Sequence, residues 1–196
     1  MPEDIFNFFE NYIRTYDLFS EGEITTIKSL AIPKRLKKKQ YLLRQGSICR
    51  HHTFVCSGCL RSYRIDDGGD EHIIGLSPAN HWVSDPVSLL SGSPSSDFID
   101  ALEDSTIIQL SANSFKTLLE EIPSFNELNN RIITDDCDIF RDRVFMMLSL
   151  KAEERYQEFI RSFPKLHERI PIYMIASYLG ISRETLTRIR SHMLDI

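Results

Sequence analysis

Residues 170–196 read IPIYMIASYLGISRETLTRIRSHMLDI, and this stretch decides how the rest of the chain is interpreted. Its spacing predicts two short helices, the first from about Pro171 to Leu179. Gly180 supplies the tight turn, because glycine takes a positive φ without steric cost. Ser182 is expected to cap the second helix through its hydroxyl group. The pattern is typical of a helix-turn-helix, in which the second helix reads DNA.

The second predicted helix has an apolar face and a polar face. The apolar stripe consists of Leu186, Ile189 and Met193. The candidate DNA contacts on the polar side are Ser182, Arg183, Glu184, Thr187 and Arg188. An arginine can bond guanine O6 and N7 with two parallel hydrogen bonds, and a glutamate can accept from cytosine N4. An ordinary amphipathic hairpin with a solvated charged face remains the alternative on spacing alone.

The charge distribution favours DNA binding confined to the tail. The 196 residues carry a formal net charge of −5, which argues against a nonspecific nucleic-acid coat. Residues 151–196 hold eight Lys/Arg and six Asp/Glu, whereas residues 1–150 hold 15 and 22. The first residues are acidic and helically periodic, unlike a signal peptide. No apolar run approaches the roughly 20 residues that span a bilayer. We therefore expect a cytoplasmic protein with no membrane partner.

The remainder of the chain divides into helical and β regions. Residues 1–30 have helical periodicity, with a second short helix expected after Ser20. Within residues 32–110, runs such as YLLRQG, HTFVCSG, EHIIGLS and STIIQLS are short and separated by turn residues, which predicts a β-sandwich or barrel. Helices return within residues 111–163. The expected fold class is α+β, with domains at 1–122, 123–148 and 149–196.

One long helix is predicted from about Pro123 to Leu148. A heptad seam runs along it, with steps of 4, 3, 4 and 3: Ile133, Cys137, Phe140, Val144 and Met147. Such a seam packs one helix against a partner, so we predict a homodimer. Packing of the same stripe on the β domain is the alternative. A further helix follows, and Phe163-Pro164 is expected to close it.

The cysteines and histidines do not form a recognisable catalytic or metal motif. Cys56 and Cys59 make a C-x-x-C, but no second pair follows, and an iron–sulfur or zinc site needs four ligands. The histidines of the β region include no H-x-H pair. We therefore expect free thiols, no metal and no enzymatic activity. A cupin-like enzyme in the β domain stays open as an alternative, and stoichiometric bound metal would favour it.

At this point the order of elements resembles the Crp/Fnr family of bacterial transcription regulators. Gly46, Gly58 and Gly69, spaced by 12 and 11 residues, match the turn glycines of that family's cyclic-nucleotide-binding-like jelly roll. SRET at 182–185, followed by Arg188, matches its reading-helix core. The resemblance covers roughly residues 25–194. It implies a β-roll sensor domain, a dimerisation helix and a winged-helix-like helix-turn-helix.

The resemblance also assigns roles and partners. It implies that Arg183, Glu184 and Arg188 are base readers, on a half-site resembling TGTGA. Double-stranded DNA, a second copy of the chain and RNA polymerase are the implied partners. The sequence ends at Ile196, so we expect little or no final wing. The β-roll is expected to report its signal through the long helix, with Phe163-Pro164 as a hinge.

The ligand pocket is where this sequence departs from the family. Counting from Gly69, the family's Gly-Glu pair falls at Ser84 and Asp85, and its arginine-serine pair at Ser95 and Ser96. A cyclic phosphate would lose its cationic partner, and burying an anion without a counter-charge costs several kcal/mol. The sequence therefore predicts that neither cAMP nor cGMP binds at physiological affinity.

Another effector remains open. Trp82 and Phe98 could line a cavity for a neutral or apolar small molecule. The alternative is a roll filled by its own side chains, without any ligand. A sensor that acts through protein partners, with a vestigial helix-turn-helix, is the competing function.

Overall fold

The computed structural model describes residues 2–194, with eight helices and eight strands among them. The expectation of a short final wing concerns Asp195 and Ile196 and lies outside the described residues. The elements in chain order are α1 Pro2–Arg14, α2 Glu21–Leu30, β1 Ala31–Leu36, β2 Tyr41–Leu43, β3 His51–Ser57, β4 Cys59–Ile65, β5 Glu71–Pro78, β6 Trp82–Val83, α3 Pro86–Ser91, β7 Phe98–Ala101, β8 Ser105–Ser111, α4 Ala112–Glu121, α5 Pro123–Ser149, α6 Ala152–Ser162, α7 Ile172–Leu179 and α8 Arg183–Leu194.

The chain forms two compact units. The first contains the residues up to Arg64 together with Gly75–Ile133, and the second contains Ile65–Ile74 together with Thr134 onward. The division falls inside α5, whereas the sequence predicts boundaries after residues 122 and 148. The tip formed by the end of β4 and the start of β5 belongs to the second unit.

The first unit is a sandwich of two four-stranded sheets, ordered β1-β8-β3-β6 and β2-β7-β4-β5. Their facing sides, here called the inner face, enclose an apolar core that includes Leu36, Leu43, Val55, Ile99 and Ile107. These residues alternate with outward-facing ones because successive side chains in a strand point to opposite sides. The α+β class and the predicted β-roll are confirmed.

Helices cover the other side of the β1-β8-β3-β6 sheet, here called the outer face. Phe9 of α1 and Ile27 of α2 are fully buried there against Phe54 of β3. The predicted helix after Ser20 begins with a reciprocal capping box, in which Ser20 and Glu23 satisfy each other's backbone N–H groups.

Gly58 marks the place where the chain crosses from one sheet to the other. Its φ is +90°, and an added Cβ would overlap the side chain and backbone of Ser105. The flanking cysteines are buried free thiols, and burial raises the pKa of Cys56 to about 12. Among the described residues no three His, Cys, Asp or Glu side chains converge to hold a metal ion.

The second unit packs α6, α7 and α8 together with the C-terminal part of α5. Its core includes Phe159, Ile175 and Leu186, which are at most 2% exposed. α6 ends at Ser162, so the predicted stop before Phe163-Pro164 is confirmed. No helix within residues 2–194 is long and apolar enough to cross a membrane.

Arg143 joins three segments of the second unit. Its guanidinium donates hydrogen bonds to the main-chain oxygens of Ile73, Ile74 and Tyr178, at 2.9 Å for Ile73 and 2.8 Å for Tyr178. It also lies 4.0 Å from the centre of the Tyr178 ring. Ser177 adds two bonds, accepting from the N–H of Ile73 and donating to a neighbouring carbonyl. The tip of β4 and β5 is thereby fixed to α5 and α7.

Candidate nucleic-acid interface

The turn between α7 and α8 has the geometry that the sequence predicts. Gly180 ends α7 in the left-handed conformation, with φ 64° and ψ 38°. The N–H of Ile181 then donates to the carbonyl of Ala176 at 3.0 Å, which is the return bond of a Schellman-type helix end. Pro171 is the N-cap of α7, so the helix begins at Ile172, one position later than the sequence suggests. Ala176 is buried, so α8 can cross closely over α7.

Ser182 starts α8. Its Oγ accepts from the N–H of Thr185 at 3.1 Å and donates to the Thr185 hydroxyl at 3.0 Å. This cap satisfies one of the N–H groups that the first turn of a helix leaves unpaired. Arg183 and Glu184 consequently occupy the first turn, the part of a reading helix that usually contacts base edges.

The two faces of α8 are sharply distinguished. Leu186 is fully buried and Ile189 is 8% exposed. The predicted reader residues Arg183, Glu184, Thr187 and Arg188 are all exposed. Within residues 2–194 neither arginine forms an ion pair. The Thr187 hydroxyl donates to the carbonyl of Arg183 at 2.9 Å. Two guanidinium groups and one carboxylate thus stand free along one side of the helix.

A cleft lies between the start of α6 and α8. Its volume is about 290 Å³, and its walls include Lys151, Glu153, Arg188 and His192. The lysine is exposed and close to Arg188, although it is more than 30 residues away in sequence. Lys151 belongs to no sequence motif, and only the packing of α6 against α8 brings it to the same surface as Arg188. The cleft therefore places the positive charge of Lys151 beside that of Arg188 on α8.

The predicted ligand residues make different local contacts. Ser84 lines a cavity of the roll, where its hydroxyl lies 3.0 Å from Nδ1 of His52. Asp85 caps α3 by accepting from the N–H of Ser88 at 3.0 Å. Ser95 is buried and its hydroxyl bonds to the backbone of its own loop, whereas Ser96 is exposed. None of these serines provides a cation.

Trp82 lies on the outer face rather than in a cavity wall. It pairs with Phe54 across β6 and β3, and its ring is 5.9 Å from that of Phe9. The indole N–H donates to the hydroxyl of Tyr12 at 3.2 Å. The predicted role of Trp82 in a ligand cavity is therefore corrected: the strand register turns its side chain into the helix-covered core. Phe98 stacks on Tyr63, with ring centres 5.1 Å apart.

Comparisons with known proteins agree with this architecture. Residues 33–122 match the family model described as a cyclic nucleotide-binding domain. The fumarate and nitrate reduction regulatory protein of Yersinia pestis is 28% identical over 183 residues, which cover 87% of this chain and 72% of that protein.

Solved structures show the same fold. FixK2 from Bradyrhizobium japonicum has a TM-score of 0.75 and 16% identity, covering 84% of this chain and 85% of its own. A Eubacterium rectale protein described as a transcriptional regulator of the Crp/Fnr family has a TM-score of 0.72 and 18% identity, covering 94% and 88%. In the order of its nucleotide-binding-like roll, long helix and helix-turn-helix, this chain is similar to transcription regulators of the Crp/Fnr family.

Proposed function

We propose that this chain is a dimeric transcription regulator that reads DNA sequence through α8 and does not use cAMP as its effector. The observation that carries the proposal is the exposed row of Arg183, Glu184 and Arg188 on a helix whose opposite face is buried. Charged groups on a helix anchored in this way can enter a major groove without rearrangement of the core. RNA polymerase is the protein partner that the family resemblance implies.

Base reading and backbone contact are divided between two kinds of residue. Arg188 and Arg183 have the planar fork that matches guanine, and Glu184 accepts from cytosine. Lys151, at the rim of the α6–α8 cleft, is a point charge suited to a phosphate. The reader arginines should therefore determine sequence preference, whereas the lysine should contribute affinity on any sequence.

Selection of genomic fragments by the purified protein tests this division. We expect one preferred half-site, and Arg188→Ala should weaken its binding by about 1–3 kcal/mol and relax the preference at one base pair. Lys151→Ala should weaken binding to all sequences alike. It should also lower by about one the slope of the logarithm of the binding constant against the logarithm of the salt concentration. The matched control is Arg161→Ala, since Arg161 is exposed in the same unit but pairs with Glu158 at 2.7 Å. A protein that selects no sequence, or an Arg188→Ala variant that binds like the control, contradicts the proposal.

The proposed dimer uses the middle of α5. Residues 133–142 of this helix are exposed on every side, including the apolar Ile133 at 52% and Phe140 at 55%. Val144, one turn further, is 45% exposed. An isolated helix with such a stripe is stabilised when a second copy covers it. Met147, the last member of the predicted seam, instead lies against Gly180 of its own chain.

Sedimentation equilibrium tests the dimer. Phe140→Glu should shift the protein toward monomer at micromolar concentration, because it places a charge in the seam. Asp142→Lys is the control, since two residues along a helix turn the side chain about 200° to the opposite side. A wild-type monomer at that concentration, or equal effects of both variants, would refute the α5 interface.

The charges around Ser95 support the proposal that the protein does not bind cAMP. The acids of this region are already paired: Asp97 with Arg64 at 2.8 Å, and Asp100 with Arg61 at 2.8 Å. A cyclic phosphate placed here would meet no uncompensated positive charge. Calorimetry with cAMP and cGMP should show no binding, and micromolar affinity for either would overturn this part of the proposal.

A further inference from the structure

A cavity of about 220 Å³ opens between the two sheets, where the chain passes from β2 into β3. Apolar side chains such as Leu43 and Ile99 form part of its wall. The rest of the wall is polar, and the three cationic or basic groups there are Lys34, Arg50 and His51. The position assigned to the family's phosphate-holding arginine, Ser95, is not part of this wall.

Strand register shows why this polar lining is unusual. Thr53 of β3 is directly opposite Gln109 of β8, and the next inner-face positions along these strands hold Val55 and Ile107. Lys34 of β1 is opposite Ile107, so it projects from the same side. A sandwich interior is normally filled by apolar residues. At this end of the roll a buried hydroxyl and a buried amide replace them.

His51 belongs to the same row. It is opposite Ser111, two positions from the Thr53 pair, and therefore projects from the inner face as well. Burial and then the positive fields of Lys34 and Arg50 lower the pKa of His51. Within the described part of the chain neither Lys34 nor Arg50 has a carboxylate partner. The cavity rim therefore carries uncompensated positive charge.

The polar groups at the cavity floor retain bonding capacity. The Gln109 side-chain amide donates to the Thr53 hydroxyl at 3.4 Å, near the upper limit for a hydrogen bond. Both side chains are at most 6% exposed. Asp85 interacts with Cys49 of the cavity wall, and its carboxylate accepts the capping hydrogen bond of α3. A buried amide and hydroxyl beneath two free cations suit an oxyanion that is held by both charge and hydrogen bonds.

We propose that this cavity binds a small organic oxyanion, a carboxylate or a phosphate, between Lys34, Arg50 and the Thr53–Gln109 pair. The volume equals that of about seven water molecules at roughly 30 Å³ each, which limits the ligand to metabolite size. The assignment rests on the proposed function in one respect, because the bound anion would be the effector of a DNA-binding regulator. Binding itself does not depend on DNA and can be measured separately.

Calorimetry on the full chain at constant ionic strength tests the site. The probes are inorganic phosphate, malonate, succinate and citrate, with succinamide as the uncharged counterpart of succinate. We expect at least one anion to bind with a submillimolar Kd, and succinamide not to bind. The set distinguishes a phosphate ligand from a carboxylate ligand.

Matched variants locate the binding. Lys34→Gln and Arg50→Gln should each raise the Kd of the anion by at least tenfold. Gln109→Leu should do the same while retaining an inner-face side chain of similar size. The control is Lys116→Gln, an exposed lysine of α4 that lies 3.8 Å from Glu120. Circular dichroism confirms that each variant is folded.

The outcomes are separable. No binding of any probe at millimolar concentration, or equal weakening by the control, overturns the anion site. If the protein binds the anion but selects no DNA sequence with or without it, the proposed DNA function is refuted and the anion site is still supported. A change of at least fivefold in DNA affinity on adding the anion would identify it as an effector.

Discussion

Arg143 offers the sharpest test of how the second unit is held together. Its side chain is enclosed, and burial lowers the pKa of the guanidinium, although an arginine stays charged at neutral pH. It donates to three carbonyl oxygens, two from the β4–β5 tip and one from Tyr178. Its Nε has no hydrogen-bond partner. Among residues 2–194 no carboxylate forms an ion pair with Arg143, so the carbonyl dipoles and the aromatic ring stabilise its charge.

Arg143→Met retains the length of the apolar stem and removes all donors. Each hydrogen bond from a charged group contributes about 1.5–3 kcal/mol, and the contact with the tyrosine ring about 0.5–2 kcal/mol. Removing the charge also relieves a desolvation cost of several kcal/mol. Three carbonyls would lose their partner, and the gains and losses partly cancel. We expect a net destabilisation of about 2–4 kcal/mol.

Native-state hydrogen exchange measures this locally. The amides of residues 71–74 and of α7 should exchange faster in Arg143→Met, since they lie where the three segments meet. Arg141→Met is the control: its side chain is 77% exposed and pairs with Asp138 at 2.7 Å, a contact worth under about 1 kcal/mol. If both variants leave exchange in these amides unchanged, or alter it equally, the carbonyl clamp does not stabilise the unit.

Three substitutions in the first unit have equally definite outcomes. Burial beside an indole ring lowers the pKa of His52 to about 4. Because the unfolded histidine titrates near 6.5, acidification from pH 6.5 to 4 should cost wild type up to about 3 kcal/mol more than His52→Phe in urea denaturation. Gly58→Ala should lower stability by about 2–3 kcal/mol, against about 1 kcal/mol for Gly46→Ala, which has a positive φ but open space. Asp100→Asn removes the carboxylate charge that contacts Arg61 at 2.8 Å in a buried ion pair, so its urea midpoint should reveal a loss of about 3–5 kcal/mol.

The helical tail could be predicted because its signals are local. Gly180 needs a positive φ, Ser182 caps the residue three positions later, and Leu186 belongs to a stripe with helical spacing. Each of these features depends on neighbours within one or two turns. The same holds for the capping box at Ser20. Such elements can be inferred without knowing which distant residues they contact.

Strands that depend on distant partners could not be predicted in the same way. β1 contains Pro33 and two consecutive charged residues, and it lacks regular alternation of polar and apolar residues. It becomes a strand because all six of its residues pair with β8, more than 65 positions later. β7 likewise follows a stretch rich in serine and proline. Tertiary pairing overrides the local propensity in both cases.

The candidate sites differ in the same way, because some depend on local sequence and others on strand pairing. The exposed readers of α8 follow from one helix and its period. The side of the sheet on which Trp82 lies follows from its pairing with Phe54, and a shift by one residue would have turned it inward. The predicted seam of α5 agrees with the structure only in part. Phe140 is exposed as the heptad predicts, whereas Met147 lies close to the turn at Gly180.

The chemistry of the roll depends most strongly on register. Lys34 and Gln109 come within the same cavity only because β1 and β8 are paired, and neither residue belongs to a motif. The sequence predicts that Ser95 occupies the position of the family's arginine, and its hydroxyl bonds to the backbone of its own loop. Burial and the positive fields of Lys34 and Arg50, two exposed cations of the cavity wall, lower the pKa of His51. A bound anion would be attracted by these positive charges as well as held by its own hydrogen bonds, which is why a neutral analogue should not replace it.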